Sequence, residues 1–285
     1  MALAFETLDN TGILRVSGIL DDQAGSSISS NAAFYGAGEF DEVTINPISG
    51  GLAKRVHGDG LIQVANYFDE TSVVQRGLTL LLDAEETDSY ANTGSTWYDI
   101  APGTADNITL VNSPTFNNSS PRYFTFNGSN QYGTGSGTVF GLNNYTKQVW
   151  FYLNSYADNN LLSSDGAGHF IYFGNGTNKI YSGHTNFSTY TDYASTGTFS
   201  LNTWYNVALT FDVASGFILY VNGVQDSTYS WTSPIPSGGY TNVGCFSAGG
   251  NLLNGRMALA LGYNVTLSAE EVKHNYDQTK SRFGF

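Results

Sequence analysis

The chain has 285 residues, 41% of them hydrophobic and 12% charged, with a net charge of −13 and a pI near 4.4. That apolar share supports a sizeable core, and the composition is not that of a disordered chain. Eleven Lys and Arg, spread along the sequence, exclude the basic patch that nucleic acid needs, and no apolar run reaches the roughly 18 residues of a membrane span. Abundant Gly, Asn, Ser and Thr with little Lys, Arg and Glu suits strands joined by polar turns.

The N-terminus, "MALAFETLDNTG", has no basic segment followed by a long apolar one, so no signal peptide is expected. The phrase "TGILRVSGILDD" (Thr11–Asp22) recurs 48 residues later, without a gap, as "DGLIQVANYFDE" (Asp59–Glu70). Each copy reads as a turn, a β-favouring run and an acidic exit. "DEVTIN" (Asp41–Asn46) is a further candidate strand between them. A segment of about 75 residues with so few strands buries little surface alone. Residues 1–75 are therefore predicted to be a small β-rich docking and assembly domain with an internal repeat. Ile13, Val16, Ile19, Leu61, Val64 and Tyr67 are its candidate assembly surface, because they carry more apolar area than an idle linker needs. A homo-oligomer is the expected consequence.

From Arg76 the texture changes. "GLTLLLD", "STWYDI", "NITLVNSPTFN", "RYFTFNGSNQYG", "KQVWFYLNS", "HFIYFGNG", "NKIYSG", "TWYNVALTFDVASGFILYVNGVQ" and "GRMALALGYNVTL" follow as short candidate strands with Asn-Gly and Ser-Gly turns. Their spacing predicts an antiparallel β-sandwich (jelly roll) over residues 76–285. "GTGSG" (Gly133–Gly137) lacks the Lys of a phosphate loop and is expected to be a turn between strands. Trp97, Trp150 and Trp204 stand in strand contexts and are expected in the core, as is the single cysteine, Cys245. One short C-terminal helix is predicted from Ser268, with Glu271 completing a capping box and Leu267 and Val272 forming a hydrophobic staple.

These residues carry a resemblance. "TWYNVALTFDVASGFILYVNGV" and "LGYNVTLSAEEVKHNY" are similar to the central strand pair and the last strand and helix of laminin-G-like domains of the concanavalin-A-like lectin/glucanase superfamily. "LLLDAEETDSYANTGSTWYDI" and "YFTFNGSNQYG" resemble the first strands of the variety found in virion proteins of tailed bacteriophages. The doubled N-terminal phrase likewise resembles docking segments of phage structural proteins. The resemblance implies a virion location, with residues 1–75 binding capsid or tail proteins, as in capsid decoration or a tail-fibre appendage. The alternative is a soluble carbohydrate-binding module with no structural role.

Catalysis is not expected. Glucanases of the superfamily place Glu-x-Asp-x-x-Glu on one strand, so that two carboxylates face the sugar. Here "DAEETD" sets its acids consecutively at a strand end. No histidine has a neighbour at zinc-ligand spacing, and no cofactor is called for. The resemblance leaves one metal candidate: laminin-G-like domains often hold Ca²⁺ at the sandwich rim, and Asp165 in "SSDGAGH" sits on a candidate rim loop. The relatives' acid after the Gly of "GRMALALGY" is replaced by Met257 and Ala258. For glycan, exposed rings that stack on sugar C–H groups, with Asn or Asp for hydroxyls, are the relevant chemistry. The loop "YSGHTNFSTYTDYAST" offers Tyr181, Asn186, Tyr190, Asp192 and Tyr193, and "DSTYSWTSP" offers Tyr229 and Trp231.

Overall fold

The computed structural model describes residues 73–285 except 104, 138–139, 141–142, 165–168, 186–189, 232–238 and 248, with backbone alone at 169–170, 184–185 and 190–191. It also describes four two-residue strands near the N-terminus. The chain divides into two compact units, Met1–Arg76 and Gly77–Phe285.

In the first unit Ala4–Phe5 pairs antiparallel with Val16–Ser17, and Ile13–Leu14 with Ile62–Gln63. The second pairing joins the two copies of the repeated phrase, and Leu14 faces its own equivalent, Ile62. Ile13 and Val16 of the candidate assembly surface lie on these strands. Ile19, Leu61, Val64, Tyr67 and the candidate strand at Asp41–Asn46 lie outside the described residues.

The second unit is an antiparallel sandwich with one C-terminal helix. Its large sheet runs in the order Val224–Tyr229, Gly216–Val221, Trp204–Asp212, Asn144–Leu153, Asn254–Tyr263, Tyr123–Asn127, Thr115–Asn117, with Leu78–Asp83 also paired to Asn254–Tyr263. The facing layer holds two sheets. One comprises Leu162–Ser164, Thr241–Val243, Tyr132–Gly135, Ile108–Val111 and Thr96–Trp97; the other comprises Asn159–Asn160, His169–Phe173, Ile180–Thr185 and Tyr190–Ala194. Alternate residues of each strand point between the layers, and they form one contiguous apolar cluster. Trp97 meets Phe124 across it with ring centres 4.7 Å apart, and Phe151 meets Phe173 at 5.5 Å.

Local chemistry explains the turns. Asn222 and Gly223 both take positive φ (49° and 75°) and close the hairpin between Gly216–Val221 and Val224–Tyr229, as a two-residue Asn-Gly loop should. "GTGSG" departs from expectation, because Gly133 and Gly135 lie within the strand Tyr132–Gly135. A side chain at Gly133 would sit 2.5 Å from Ile108, and one at Gly135 would sit 2.6 Å from the Asp106 carboxylate. Close packing, not a turn, requires glycine there.

The large sheet's outer side is covered in part by the helix Ala269–Thr279 and the 3₁₀ turn Lys280–Phe283. Ser268 caps the helix, Glu271 completes the capping box, and Leu267 and Val272 are buried beside it. Asn275 donates to Gln148 Oε1 (2.9 Å) and the Tyr263 hydroxyl (3.0 Å), and Trp150 Nε1 donates to Thr279 Oγ1 (2.7 Å). Trp97, Trp150 and Cys245 are fully buried, whereas Trp204 is half-buried on the sheet's outer face. It stands there because Tyr152, its register partner on Asn144–Leu153, also points outward.

Among the buried polar residues, two carry ionisable groups with shifted titration. Lys147, on an inward position of Asn144–Leu153, is fully buried and donates from Nζ to the Leu162 carbonyl of the facing layer (3.1 Å). Burial holds its amine well below the ordinary lysine range. Asp106 is 6% exposed and accepts from the Gly137 amide at 2.7 Å, while its Oδ2 has no partner. Burial raises its carboxyl above the usual range, aided by the nearby charge of Asp99.

Candidate functional site

Strand alternation in the four-stranded sheet decides which tyrosines face solvent. Ile171, Phe173 and Ile180 point into the core and are fully buried. The opposite positions carry Tyr172, Tyr181, Gly183 and Asp192, brought side by side by the registers Tyr172↔Tyr181 and Gly183↔Asp192. The two tyrosine rings lie 5.4 Å apart at 33°. The Tyr172 hydroxyl donates to Asp192 Oδ2 at 2.5 Å. Gly183 stands between those strands and puts no side chain in the way of that bond.

The electrostatics fix the roles. Burial and then the bond to Asp192 raise the Tyr172 hydroxyl, so it stays protonated and remains a donor. Asp192 is exposed and has acceptor capacity left after that one bond. Asp158 adds negative potential nearby and accepts from the Asn175 amide at 2.6 Å. Two half-buried rings beside an oriented carboxylate make a surface for a neutral, hydroxyl-rich ring: C–H faces on the tyrosines, hydroxyls on Asp192.

The sequence candidates divide between two places. Tyr181 and Asp192 join Tyr172, which in the sequence is one residue of the candidate strand "HFIYFGNG". The supposed loop contains two paired strands, Ile180–Thr185 and Tyr190–Ala194, with position 190 opposite 185 in the register. Tyr193 points the other way, stacks on Tyr229 (4.4 Å, 14°) and packs on Phe217, which Trp231 also approaches at 6.3 Å. Tyr193 donates to the Ser230 carbonyl and Tyr229 to the Ala194 carbonyl. Those three rings close the edge of the core. Asn186 and Asp165 lie outside the described residues.

The acids near the strand end are tied into the fold. Asp83, 5% exposed, pairs with Arg282 at 2.6 Å, and Glu85 accepts from the Arg122 amide at 3.0 Å. Asp99 accepts from the amides of Leu81, Ala101 and Asp106. Among the described residues no three His, Cys, Asp or Glu side chains come together as a metal site, and no helix is long and apolar enough to cross a membrane.

The family model of the laminin-G-like branch of the concanavalin A-like lectin/glucanases matches residues 126–273, just over half of the chain. The chain belongs to the concanavalin A-like lectin/glucanase superfamily. The match covers the central strands and the first turn of the helix, so the tyrosine face lies within the matched region. No curated protein matches the sequence. Among solved structures, the botulinum neurotoxin serotype G binding domain is similar in fold (TM-score 0.57, 16% identity, 72% of this chain and 51% of that one). So is a botulinum neurotoxin type C structure, described in terms of cell entry dependent on two ganglioside molecules (TM-score 0.56, 12% identity, 70% and 51%). A neurotoxin DC binding domain in complex with rat synaptotagmin II aligns equally well (TM-score 0.56, 12% identity, 70% and 51%). The chain spans about half the length of these neighbours, and at such identities the likeness is one of fold.

Proposed function

We propose that this chain is a non-enzymatic virion structural protein of a tailed bacteriophage whose lectin-like sandwich contacts host-surface glycan. The observation that carries the binding role is the Tyr172–Tyr181–Asp192 face: two adjacent rings and a hydrogen-bonded carboxylate on the outer side of a sheet. A lectin needs surface of this kind, and a hydrolase needs something different. Glycoside hydrolysis requires two carboxylates opposed across the scissile bond, whereas Asp83, Glu85 and Asp99 are engaged by backbone amides or by Arg282. The neurotoxin structures of like fold, one described by its interaction with two ganglioside molecules and one by its complex with synaptotagmin II, support a recognition role.

The virion role rests on the first unit and on the strands that follow it. Its doubled phrase and the texture of the strands after Arg76 resemble phage structural proteins. The pairing of Ile13–Leu14 with Ile62–Gln63 supports reading the two copies as one small assembly element. Capsid or tail proteins of the same particle are the proposed partners of residues 1–75, in a homo-oligomer.

The test is a binding screen of the full chain on neutral bacterial surface polysaccharides, with release of reducing ends followed in parallel. Binding without release is expected, and Tyr181→Ala should weaken it about tenfold, equivalent to about 1.4 kcal/mol. Release of sugar, or binding that Tyr181→Ala and Asp192→Asn both leave intact, would overturn the reading.

A further inference from the structure

The large sheet carries a second cluster on the opposite layer of the sandwich, beyond the edge of the C-terminal helix. Along Asn254–Tyr263 the residues Gly255 and Met257 are buried, so Arg256 points outward. Its register partners are Thr125 on one side and Tyr152 on the other, and Tyr152 in turn pairs with Trp204. The guanidinium carbon lies 4.2 Å from the Tyr152 ring centre and 4.9 Å from that of Tyr123. Trp204 stands 5.6 Å from Tyr152 and 5.5 Å from Tyr123, and Phe283 supports it at 4.8 Å. Each of these side chains is half-buried.

The charge at the centre is unusual in its partners. Arg122, Lys147, Lys179, Lys273, Lys280 and Arg282 each donate to a carbonyl or carboxylate. Arg256, among the described residues, has neither a hydrogen-bond acceptor nor an ion-pair partner. A ring against a guanidinium satisfies none of its five N–H donors, which lie in the plane of the group. The guanidinium is thus flanked by two rings and has no acceptor among the described residues, in a chain whose net charge is −13. Stacking alone does not need an arginine stripped of acceptors, and a carboxylate accepts two parallel bonds from such a fork.

We infer that the Arg256 cluster binds the carboxylate of an acidic sugar. The carboxylate takes the Arg256 fork, and the pyranose ring lies against the half-buried ring of Trp204 or Tyr152. Charge separates this site from the tyrosine face, where Asp192 repels a carboxylate and accepts from neutral hydroxyls. The two sites lie on outer faces of opposite layers, and the inference stands on residues that the tyrosine face does not use.

The experiment compares the full chain on polyglucuronate and on the same polymer after carboxyl reduction. Polyglucuronate should bind at least tenfold more tightly, with the advantage falling as salt rises. Arg256→Gln should abolish that preference. Arg256→Lys should restore little of it, since an ammonium keeps the charge but not the fork. Tyr181→Ala should leave it unchanged. Equal binding of the two polymers by the unaltered protein would overturn the inference, and this comparison needs no variant to fold. So would retention of the preference in Arg256→Gln, or competition by inorganic phosphate as effective as that by free glucuronate.

Discussion

Asp106 holds a carboxyl group that the fold has enclosed without fully satisfying. Its carboxyl is raised by burial, so the native state keeps the proton to higher pH than the unfolded chain does. Between the two pKa values the native state binds more protons, and stability therefore falls as pH rises through that window. Asp106→Asn keeps an acceptor for the Gly137 amide and removes the titration. The variant should gain stability relative to the parent near neutral pH, and the gain should disappear on acidification below the ordinary Asp range. Thermal unfolding of both proteins from pH 3 to 8 checks this, and a pH-independent difference would count against it. Single residues were unevenly legible in the sequence. Tyr181 and Asp192 could be named because exposed rings and acids in a polar stretch suit sugars. Tyr172 could not, because its role depends on which residue of the next strand stands opposite, and register is a property of pairs of strands. Arg256 went unnoticed because its two aromatic neighbours lie more than a hundred residues away in sequence.

Among elements, the C-terminal helix was the most readable. Its start is written locally, in a capping box and a staple that need no knowledge of the sheet. What the helix does is long-range. Asn275 satisfies Gln148 and Tyr263 at the buried interface with the large sheet. Asn275→Leu should cost about 1–3 kcal/mol by leaving Gln148 Oε1 without that donor, whereas Ser268→Ala should cost about 1 kcal/mol through the cap alone. Denaturant unfolding of the two variants would rank them, and the reverse order would mean that the cap outweighs the interface network. Of the hairpin Ile180–Thr185 with Tyr190–Ala194, the sequence shows the start of the first strand in "NKIYSG" and gives the second the look of a loop. Its Ser, Thr, His and Asp lack the apolar alternation of a core strand, and only pairing with His169–Phe173 makes it part of a sheet.

At the scale of the whole molecule, the sandwich of Gly77–Phe285 has its own continuous core. Cut at residue 76, it should fold alone with a β-dominated circular-dichroism spectrum and keep its sugar binding, while losing incorporation into particles. A truncated chain that still enters particles would remove the docking role from residues 1–75. Fold class was legible because strand spacing, turn residues and the helix cap all agree. Ligand chemistry was less so, since it depends on faces assembled from several strands. The central claim, that glycan lies on the tyrosine face, can be read directly by hydroxyl-radical footprinting of the full chain with and without a saturating neutral surface polysaccharide. Tyr172 and Tyr181 should lose most of their reactivity on binding, while Tyr98 and Tyr240, which are 48% and 49% exposed, should keep theirs. Unchanged oxidation of Tyr172 and Tyr181 in the saturated complex would contradict the account.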